Sequence, residues 1–270
     1  MALNWIDPKE FSFNAFLLLE RFQIKMMLQS AGWRNDKDEW RRSMGIALNA
    51  NPAVRWYFEQ HCPESASFIT EITENAPVTI EAAEIRNAEM YALISVEDFI
   101  TYTRPVLMDT NCDFIYAWDK ARLFEMADFT GKTVLDVGSG SGRLAFAAAE
   151  KAAWVYAVEP VSTLRQYLHD KIIREGIVNV RVTDGMADSL PYPDNTFDIV
   201  MSGHVIGDDY SAELAEIERV CSVGGWLLDC PGDGTCDHRP VVELSKRGWE
   251  EMCYIGNVGG VTRRYRKQVV

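Results

Sequence analysis

The stretch VLDVGSGSGRLAFAAAE, residues 134–150, joins an apolar run to an alanine-rich run through three closely spaced glycines. The first four residues are typical of a buried strand, and the alanine-rich run predicts a helix because it holds strong helix formers over sufficient length. Gly138, Gly140 and Gly142 let the chain turn tightly and bring backbone N–H groups close to a ligand. This arrangement predicts a site for a nucleotide or nucleoside.

The spacing of these glycines narrows the choice of ligand. It is G-x-G-x-G, whereas dinucleotide-binding loops have G-x-G-x-x-G, and position 143 is Arg. Asp136 lies two residues before the first glycine, where its charge disfavours a pyrophosphate. A carboxylate here suits a ligand with positive charge. S-adenosylmethionine, with its α-amino group and sulfonium, is such a ligand.

Composition and charge limit the possible partners. The 270 residues carry a formal net charge of −13, which repels phosphate backbones and anionic membranes, so we expect neither nucleic acid nor membrane as a partner. The six cysteines are scattered without C-x-x-C, which predicts neither a zinc site nor a disulfide framework. No signal region or long apolar run is present, and we therefore expect a cytoplasmic protein.

The first 130 residues differ from the rest, and we expect a mainly helical domain or cap there. A capped helix start is predicted at residues 7–10, and a capping box at residues 95–98. Further helices are predicted after Asn35, after Thr79 and over residues 114–126. Because ligands bind at strand ends, we expect this cap to cover the carboxyl-end face of the following domain.

From residue 131 onward, strands and helices alternate. Strands are predicted at 133–137, 154–158, 178–183, 197–201 and 225–230, and helices at 143–152, 162–175 and 211–221. This alternation predicts an α/β fold with a doubly wound, mostly parallel sheet and ligands at the carboxyl ends of its strands. The tail reads as a hairpin of two closing strands, 251–255 and 261–269. The second domain therefore spans residues 131–270.

Four motifs occur in order: VLDVGSGSG, VYAVEP, LPYPDNTFDIVMSGHVI and AEIERVCSVGGWLLD. With them, residues 131 to about 233 resemble the class I S-adenosylmethionine-dependent methyltransferases, in particular those that methylate small molecules. The closing hairpin resembles the antiparallel last strand of that fold. The resemblance covers about half of the chain. It implies a Rossmann-like fold, an S-adenosylmethionine cofactor and methyl transfer to a small molecule.

The resemblance also implies a set of cofactor-binding residues. Glu159, at the end of the second strand, is placed to accept both ribose hydroxyls, because a carboxylate takes two parallel O–H donors. Gly138 and Gly140 would carry the methionine part, and Asp136 would reach its ammonium directly or through water. The full predicted set is Asp136, Gly138, Ser139, Gly140, Gly142, Glu159, Pro160, Gly185, Met186, Ala187 and Ser202.

The adenine end departs from the family pattern. Where many relatives have an aspartate for the adenine amino group, this chain has Met186. The polarizable thioether of Met186 suits the purine face, with the Ala187 backbone N–H reaching a ring nitrogen. Asp184, two residues earlier, either turns into the site or is a solvated strand end. The sequence leaves both alternatives open.

Candidate catalytic residues follow from the chemistry of methyl transfer. The reaction is an in-line displacement on an activated carbon, so the protein mainly supplies alignment and exclusion of water. A base is needed only if the acceptor carries a proton. His204, two residues past the strand end, is the candidate base, with a structural role as the alternative. Tyr116, with Tyr102, is a candidate for closing over the cofactor, and plain packing is its alternative.

Asp208 and Asp209, near His204, suit a helix N-terminus better than a metal site, and we expect no metal. A non-catalytic S-adenosylmethionine-binding partner or regulatory protein is the alternative function, because the acceptor pocket cannot be read from the sequence. A nucleic-acid methyltransferase would need a basic face or an N-P-P-Y-like motif, where this chain has SGHV at 202–205. A homo-oligomer is compatible with the sequence.

Overall fold

The computed structural model describes residues 4–30, 36–77, 81–234 and 236–270. The chain divides into two compact units, Met1–Arg104 and Pro105–Val270. The boundary predicted from the sequence lies after residue 130. In the structure, the segment 105–130 belongs to the second unit, which contains the sheet. The assignment of residues 1–130 as a functional cap stays a prediction. Among the described residues, no helix has the length and apolar character needed to cross a membrane.

The first unit is helical. Its α-helices are α1 (Arg21–Ser30), α2 (Lys37–Ala50), α3 (Pro52–His61), α4 (Ala66–Glu74), α5 (Ala82–Ser95) and α6 (Glu97–Tyr102). Short 3-10 helices cover Pro8–Glu10, Phe13–Leu18 and Pro63–Ser65. Helix α2 is central because it packs on both α4 and α5 and buries Trp40, Met44 and Leu48. Gly45 makes the close approach to α4 possible, since a Cβ there would lie 2.1 Å from the Ile72 carbonyl oxygen.

The predicted helix start at residue 7 is only partly right. Asp7 caps as expected, accepting from the Lys9 N–H at 3.0 Å, but a single 3-10 turn follows. The backbone is extended at Phe11, and Ser12 caps a second short helix. The helices predicted after Asn35 and Thr79 begin at Lys37 and Ala82, while Asn35 and Thr79 themselves lie outside the described residues.

The capping box predicted at residues 95–98 is wrong. Val96 occupies the N-cap position of α6, and no side chain caps that helix end. The Ser95 hydroxyl instead donates to the Ala92 carbonyl at 2.7 Å. The buried Glu97 carboxylate accepts from the backbone N–H groups of Asn4 and Trp5. The sequence at residues 95–98 therefore forms no capping box, and Glu97 makes a long-range contact with the backbone of Asn4 and Trp5.

The second unit contains a seven-stranded sheet in the order β3-β2-β1-β4-β5-β7-β6. The first five strands are parallel, and β7 runs antiparallel to both β5 and β6. The strands are β1 (Thr133–Val137), β2 (Trp154–Val158), β3 (Val180–Thr183), β4 (Phe197–Ser202), β5 (Cys221–Asp229), β6 (Glu250–Ile255) and β7 (Val261–Gln268). This confirms the predicted doubly wound, mostly parallel sheet and its closing hairpin.

Helices cover both faces of the sheet. The helices of this unit are α7 (Pro105–Asn111), α8 (Asp113–Tyr116), α9 (Ala121–Phe124), α10 (Arg143–Ala149), α11 (Ser162–Glu175), α12 (Tyr210–Val220) and α13 (Val242–Lys246), of which α10, α11 and α12 pack directly on the strands. Alternation along β1 divides the core, because Val134 packs in the cluster with Leu144 whereas Leu135 packs in the cluster with Ile217. Both faces are buried, as a parallel sheet requires.

Several predicted boundaries need correction. The helix predicted over 114–126 is two short helices, α8 and α9, because Asp119 accepts from the Ala121 N–H and starts a new turn. Strand β5 begins at Cys221, four residues before its predicted start, with an irregularity opposite β4. Helix α10 ends at Ala149, three residues before its predicted end.

The loop after β5 is tied to the hairpin by one buried carboxylate. Asp233 is 1% exposed and accepts from the Tyr254 hydroxyl at 2.6 Å and from the Asn257 N–H at 2.8 Å. The same loop contacts α8 closely at Gly232, where a Cβ would lie 1.9 Å from the Phe114 carbonyl oxygen. The hairpin thus holds in place the loop that positions α8.

Replacing Asp233 with alanine should destabilise the second unit. The change leaves the half-buried Tyr254 hydroxyl and the Asn257 N–H without this acceptor, and we expect a loss of about 2–4 kcal/mol in the free energy of unfolding. Urea denaturation of both proteins measures this difference. Asp237→Ala is the matched control, because exposed Asp237 makes one bond to the Val261 N–H, and its loss should be about 0.5 kcal/mol. Equal losses for both variants would contradict this role of Asp233.

Candidate functional site

Polar groups gather where the parallel strands end. Asp136 precedes the end of β1, Glu159 follows β2, Ser202 ends β4 and Asp229 ends β5. Because neighbouring parallel strands share an orientation, their carboxyl ends meet at one edge of the sheet, where ligands bind in folds of this type. All four side chains are buried. The structure therefore brings three of the predicted residues together and adds Asp229.

The glycine loop has a backbone that only glycine adopts without strain. Gly138, Gly140 and Gly142 have φ of 65°, 57° and 93°. A Cβ at Gly138 would lie 2.4 Å from Val205 Cγ2. The N–H groups of Gly138 and Ser139 donate to the Val158 carbonyl at 2.8 and 3.1 Å. The loop is thereby fixed to the end of β2.

Glu159 completes the attachment of the loop. Its Oε2 accepts from the Gly140 N–H and its Oε1 from the Val161 N–H, both at 2.8 Å. Each carboxylate oxygen has two acceptor positions, so one on each oxygen can take a ligand hydroxyl. Burial raises the pKa of Glu159 to about 7, opposed by the two backbone bonds. Both oxygens are held in place before any ligand arrives.

Asp136 lacks a partner that its burial demands. It is 1% exposed, and its Oδ2 finds no hydrogen-bond partner among the described residues. Burial raises its pKa to about 7, against the effects of Ser139 and Arg143. A buried carboxylate oxygen is stabilised when a donor reaches it. The geometry therefore suits an ammonium group or another N–H donor of a ligand.

Asp229 is a residue that sequence reasoning missed. The Ser202 hydroxyl donates to Asp229 Oδ1 at 3.4 Å, and burial raises the pKa of Asp229 to about 7. The signal was present, since Asp229 ends the motif AEIERVCSVGGWLLD. Only the pairing of β4 with β5 brings it beside Ser202.

His204 follows β4 with φ of 63° and lies against aromatic rings. Its ring centroid is 4.5 Å from that of Phe114 and 6.3 Å from that of His238. Part of the side chain remains exposed to solvent. Desolvation by the surrounding residues holds the pKa of His204 well below its usual range, and the nearby charges of Arg143 and His238 act in the same direction. His204 is therefore uncharged near neutral pH. Its role in catalysis stays a prediction.

The remaining predicted residues lie around this centre. Gly185, Met186, Ala187 and Pro160 are half-buried, and the Met186 carbonyl accepts from the Ser189 N–H. Of the two alternatives for Asp184, the structure shows the solvated strand end and not a side chain turned into the site, because the side chain is 72% exposed and pairs with Arg165. Tyr116 is 56% exposed. The proposed contacts of these residues stay predictions.

The acids after His204 form a helix start. Asp209 accepts from the N–H groups of Ser211 and Ala212 and caps α12, as the sequence predicts. Across the described ranges, no three His, Cys, Asp or Glu side chains cluster closely enough to hold a metal ion.

Helices α7 and α8 cover the glycine loop. Met108 lies over Gly140, where a Cβ would be 2.9 Å from Met108 Cε, and the Tyr167 hydroxyl donates to Asp109 at 2.6 Å. The cavity between these helices, Asp136 and the loop measures about 30 Å³. That volume admits no more than about two water molecules.

Comparison with known proteins agrees with this geometry. Residues 135–229 match the family model described as "Methyltransferase domain". A demethylmenaquinone methyltransferase of Anoxybacillus flavithermus is 33% identical over 117 residues, covering 42% of this chain and 49% of that protein. The uncharacterized methyltransferase YcgJ of Bacillus subtilis is 32% identical over 98 residues, covering 35% of this chain and 38% of that protein. The matched part spans about half the length of such relatives or less.

Two solved structures show the same fold. A SAM-dependent methyltransferase from Aquifex aeolicus has a TM-score of 0.51 at 20% identity, covering 63% of this chain and 98% of that one. A protein from Methanococcus maripaludis described as a putative S-adenosyl-L-methionine-dependent methyltransferase also has 0.51, at 17% identity, covering 62% of this chain and 90% of that one.

Residues 135–229 are thus a methyltransferase domain of class I, which confirms the resemblance found in the sequence. This domain implies S-adenosylmethionine as its cofactor. The residues present fit that compound. The unpartnered Asp136 Oδ2 suits its ammonium, and the two held oxygens of Glu159 suit its ribose hydroxyls.

The protonation of His204 can be tested without a substrate. Because its pKa is lowered below the usual value of about 6.5, its imidazole should stay neutral from pH 8 down to pH 5. Two-dimensional NMR of the four histidine rings against pH should show one set of signals without titration, absent in His204→Asn. An His204 signal with a midpoint near pH 6.5 would contradict this expectation.

Proposed function

We propose that the protein transfers a methyl group from S-adenosylmethionine to a small, neutral or cationic acceptor. The observation that carries the proposal is the pair of buried acids at adjacent strand ends. Asp136 has one carboxylate oxygen without a partner among the described residues, and Glu159 has both oxygens fixed by backbone N–H groups. One acid suits the ammonium and the other suits the ribose.

In this proposal the remaining cofactor contacts are divided between the loop and the third strand end. The backbone of residues 138–142 carries the methionine part, because glycines there leave no side chain in the way. Met186 packs on the purine and the Ala187 N–H reaches a ring nitrogen. When bound, the sulfonium supplies a methyl group that is already activated for displacement.

The contribution of the chain to the reaction is alignment and exclusion of water. Met108, Phe114 and Ile115 line the cavity beside Asp136 and Gly140, so α7 and α8 shield this part of the site from solvent. His204 is proposed to contact the acceptor. Because its pKa is lowered, it does so as a neutral imidazole, and pocket shape is favoured over general-base catalysis as its role.

A small-molecule acceptor is supported by two independent observations. Several of the relatives are named demethylmenaquinone methyltransferases, and demethylmenaquinone is a small molecule. The net charge of −13 disfavours a polyanionic acceptor, because like charges raise the free energy of its approach. The alternative is a non-catalytic protein that binds S-adenosylmethionine, since the acceptor itself is not identified.

Cofactor binding tests the site directly. Isothermal titration calorimetry of S-adenosylmethionine and S-adenosylhomocysteine should show binding to the wild-type protein. Glu159→Ala should weaken both by at least about 1.5–3 kcal/mol, because charge-assisted hydrogen bonds to the ribose are lost and the Gly140 N–H loses the acceptor that holds the glycine loop. Asp184→Ala is the matched control, since this exposed acid pairs with Arg165, and its affinity should be nearly unchanged. Absence of binding of either compound to wild-type protein would overturn the proposal.

Turnover tests the acceptor class. Release of S-adenosylhomocysteine should be measured with a demethylated naphthoquinol, a catechol, a primary amine, a duplex DNA and a transfer RNA. We expect turnover with a small molecule and none with the nucleic acids. If His204 shapes the pocket, His204→Asn should give a small loss that does not vary between pH 6 and 9. A base role would give a loss of about 10²–10⁴-fold. Turnover with nucleic acid alone would contradict the acceptor class.

A further inference from the structure

A second buried group beside Asp136 also lacks a partner. Arg143, the first residue of α10, donates from Nη2 to the Cys230 carbonyl at 2.8 Å. Its guanidinium lies 4.4 Å from the centre of the Trp118 ring. Its Nη1 is buried and makes no hydrogen bond in the part of the chain that the structure describes. One end of the guanidinium is therefore anchored and the other end is free to bind.

Arg143 and Asp136 line the same cavity, together with Ser139, Ser141 and Gly203. Their ionised forms carry opposite charges, yet no ion pair among the described residues joins them. Each instead keeps one buried atom without a partner, a nitrogen donor on Arg143 and an oxygen acceptor on Asp136. Leaving such atoms unsatisfied is unfavourable, and a ligand that supplies both complements would remove the penalty.

An α-amino acid group is such a ligand, because one carbon carries both an ammonium and a carboxylate. Resting on the function proposed above, we propose that Arg143 Nη1 binds the carboxylate of S-adenosylmethionine while Asp136 binds its ammonium. The site then recognises the zwitterionic end of the cofactor as a unit. Charge-assisted hydrogen bonds of this kind are stronger than neutral ones.

The guanidinium is held in advance for this role. A Cβ at Gly203 would lie 2.7 Å from Arg143 Nη2 and 2.7 Å from the Cys230 oxygen, so the side chain occupies a slot that needs glycine beside it. Trp118 closes another side of the slot. Because the rotamer is fixed by folding, little conformational entropy remains to be lost on binding.

The competing role for Arg143 is structural, since its bond to Cys230 ties α10 to the loop after β5. A ligand without the carboxylate separates the two roles. Decarboxylated S-adenosylmethionine keeps the adenosine, the sulfonium and the amine but has no carboxylate. A purely structural arginine would affect both ligands equally, whereas a carboxylate-binding arginine affects only the complete one.

Calorimetry should be carried out with S-adenosylmethionine and its decarboxylated form on wild-type protein, Arg143→Met and Arg143→Lys. We expect wild-type protein to bind the complete ligand at least 10-fold more tightly. Arg143→Met should weaken the complete ligand by about 10- to 100-fold and leave the decarboxylated one within about 3-fold. Arg143→Lys should keep part of the preference, because the charge remains.

Arg219→Met is the control. This arginine pairs with Glu216 and Asp194 on α12 and the loop before β4, and its loss should leave the preference unchanged. Thermal unfolding shows whether each variant is folded. If Arg143→Met does not fold, the comparison of the two ligands is made with Arg143→Lys. Equal weakening of both ligands, or a wild-type protein without preference, would overturn the role of Arg143. Failure of both ligands to bind wild-type protein would instead overturn the proposed function.

Discussion

The site depends on one buried carboxylate that joins two strand ends. Glu159 follows β2, yet its oxygens accept N–H groups from the glycine loop after β1 and from the start of the segment leading to α11. The Val158 carbonyl adds two more bonds to the same loop. The loop is therefore fixed against the end of β2, in a conformation with three left-handed glycines. A side chain placed to bind a ligand also fixes the backbone that binds it.

The opposite wall of the site comes from elements distant in sequence. The Phe114 backbone of α8 packs against Gly232, and Asp233, the next residue, holds the hairpin through Tyr254 and Asn257. The closing hairpin thus does more than complete the sheet, because it fixes the loop on which α8 lies. The segment 105–116 belongs with the sheet unit, although the sequence predicts it as part of the helical domain before it.

Local patterns predicted what local forces decide. The bounds of β1, β2 and α11 agree with the sequence, because each is set by a continuous run of suitable residues between turn signals. The capping box predicted at Ser95 does not form, because Val96 occupies the N-cap position, and Glu97 accepts from the distant backbone of Asn4 and Trp5. Asp229 and the hydrogen bond from Arg143 to the Cys230 carbonyl were also not predicted from the sequence. These contacts form only in the folded sheet, since Cys230 lies 87 residues beyond Arg143 in the chain.

The charges of the site explain why a cationic ligand suits it. Burial raises the pKa of Asp136, Glu159 and Asp229 to about 7, above the value of about 4 that such acids have in an unfolded chain. Between these values the folded protein binds protons that the unfolded chain has lost, so the stability contributed by these acids falls as pH rises from about 4 to 7. An ammonium beside Asp136 would stabilise the ionised form there and reverse part of that loss. Arg143 favours the ionised forms of Asp136 and Asp229 but does not outweigh burial, and it forms no ion pair with any of the three acids among the described residues. The site is therefore short of positive charge in the place where the cofactor carries it.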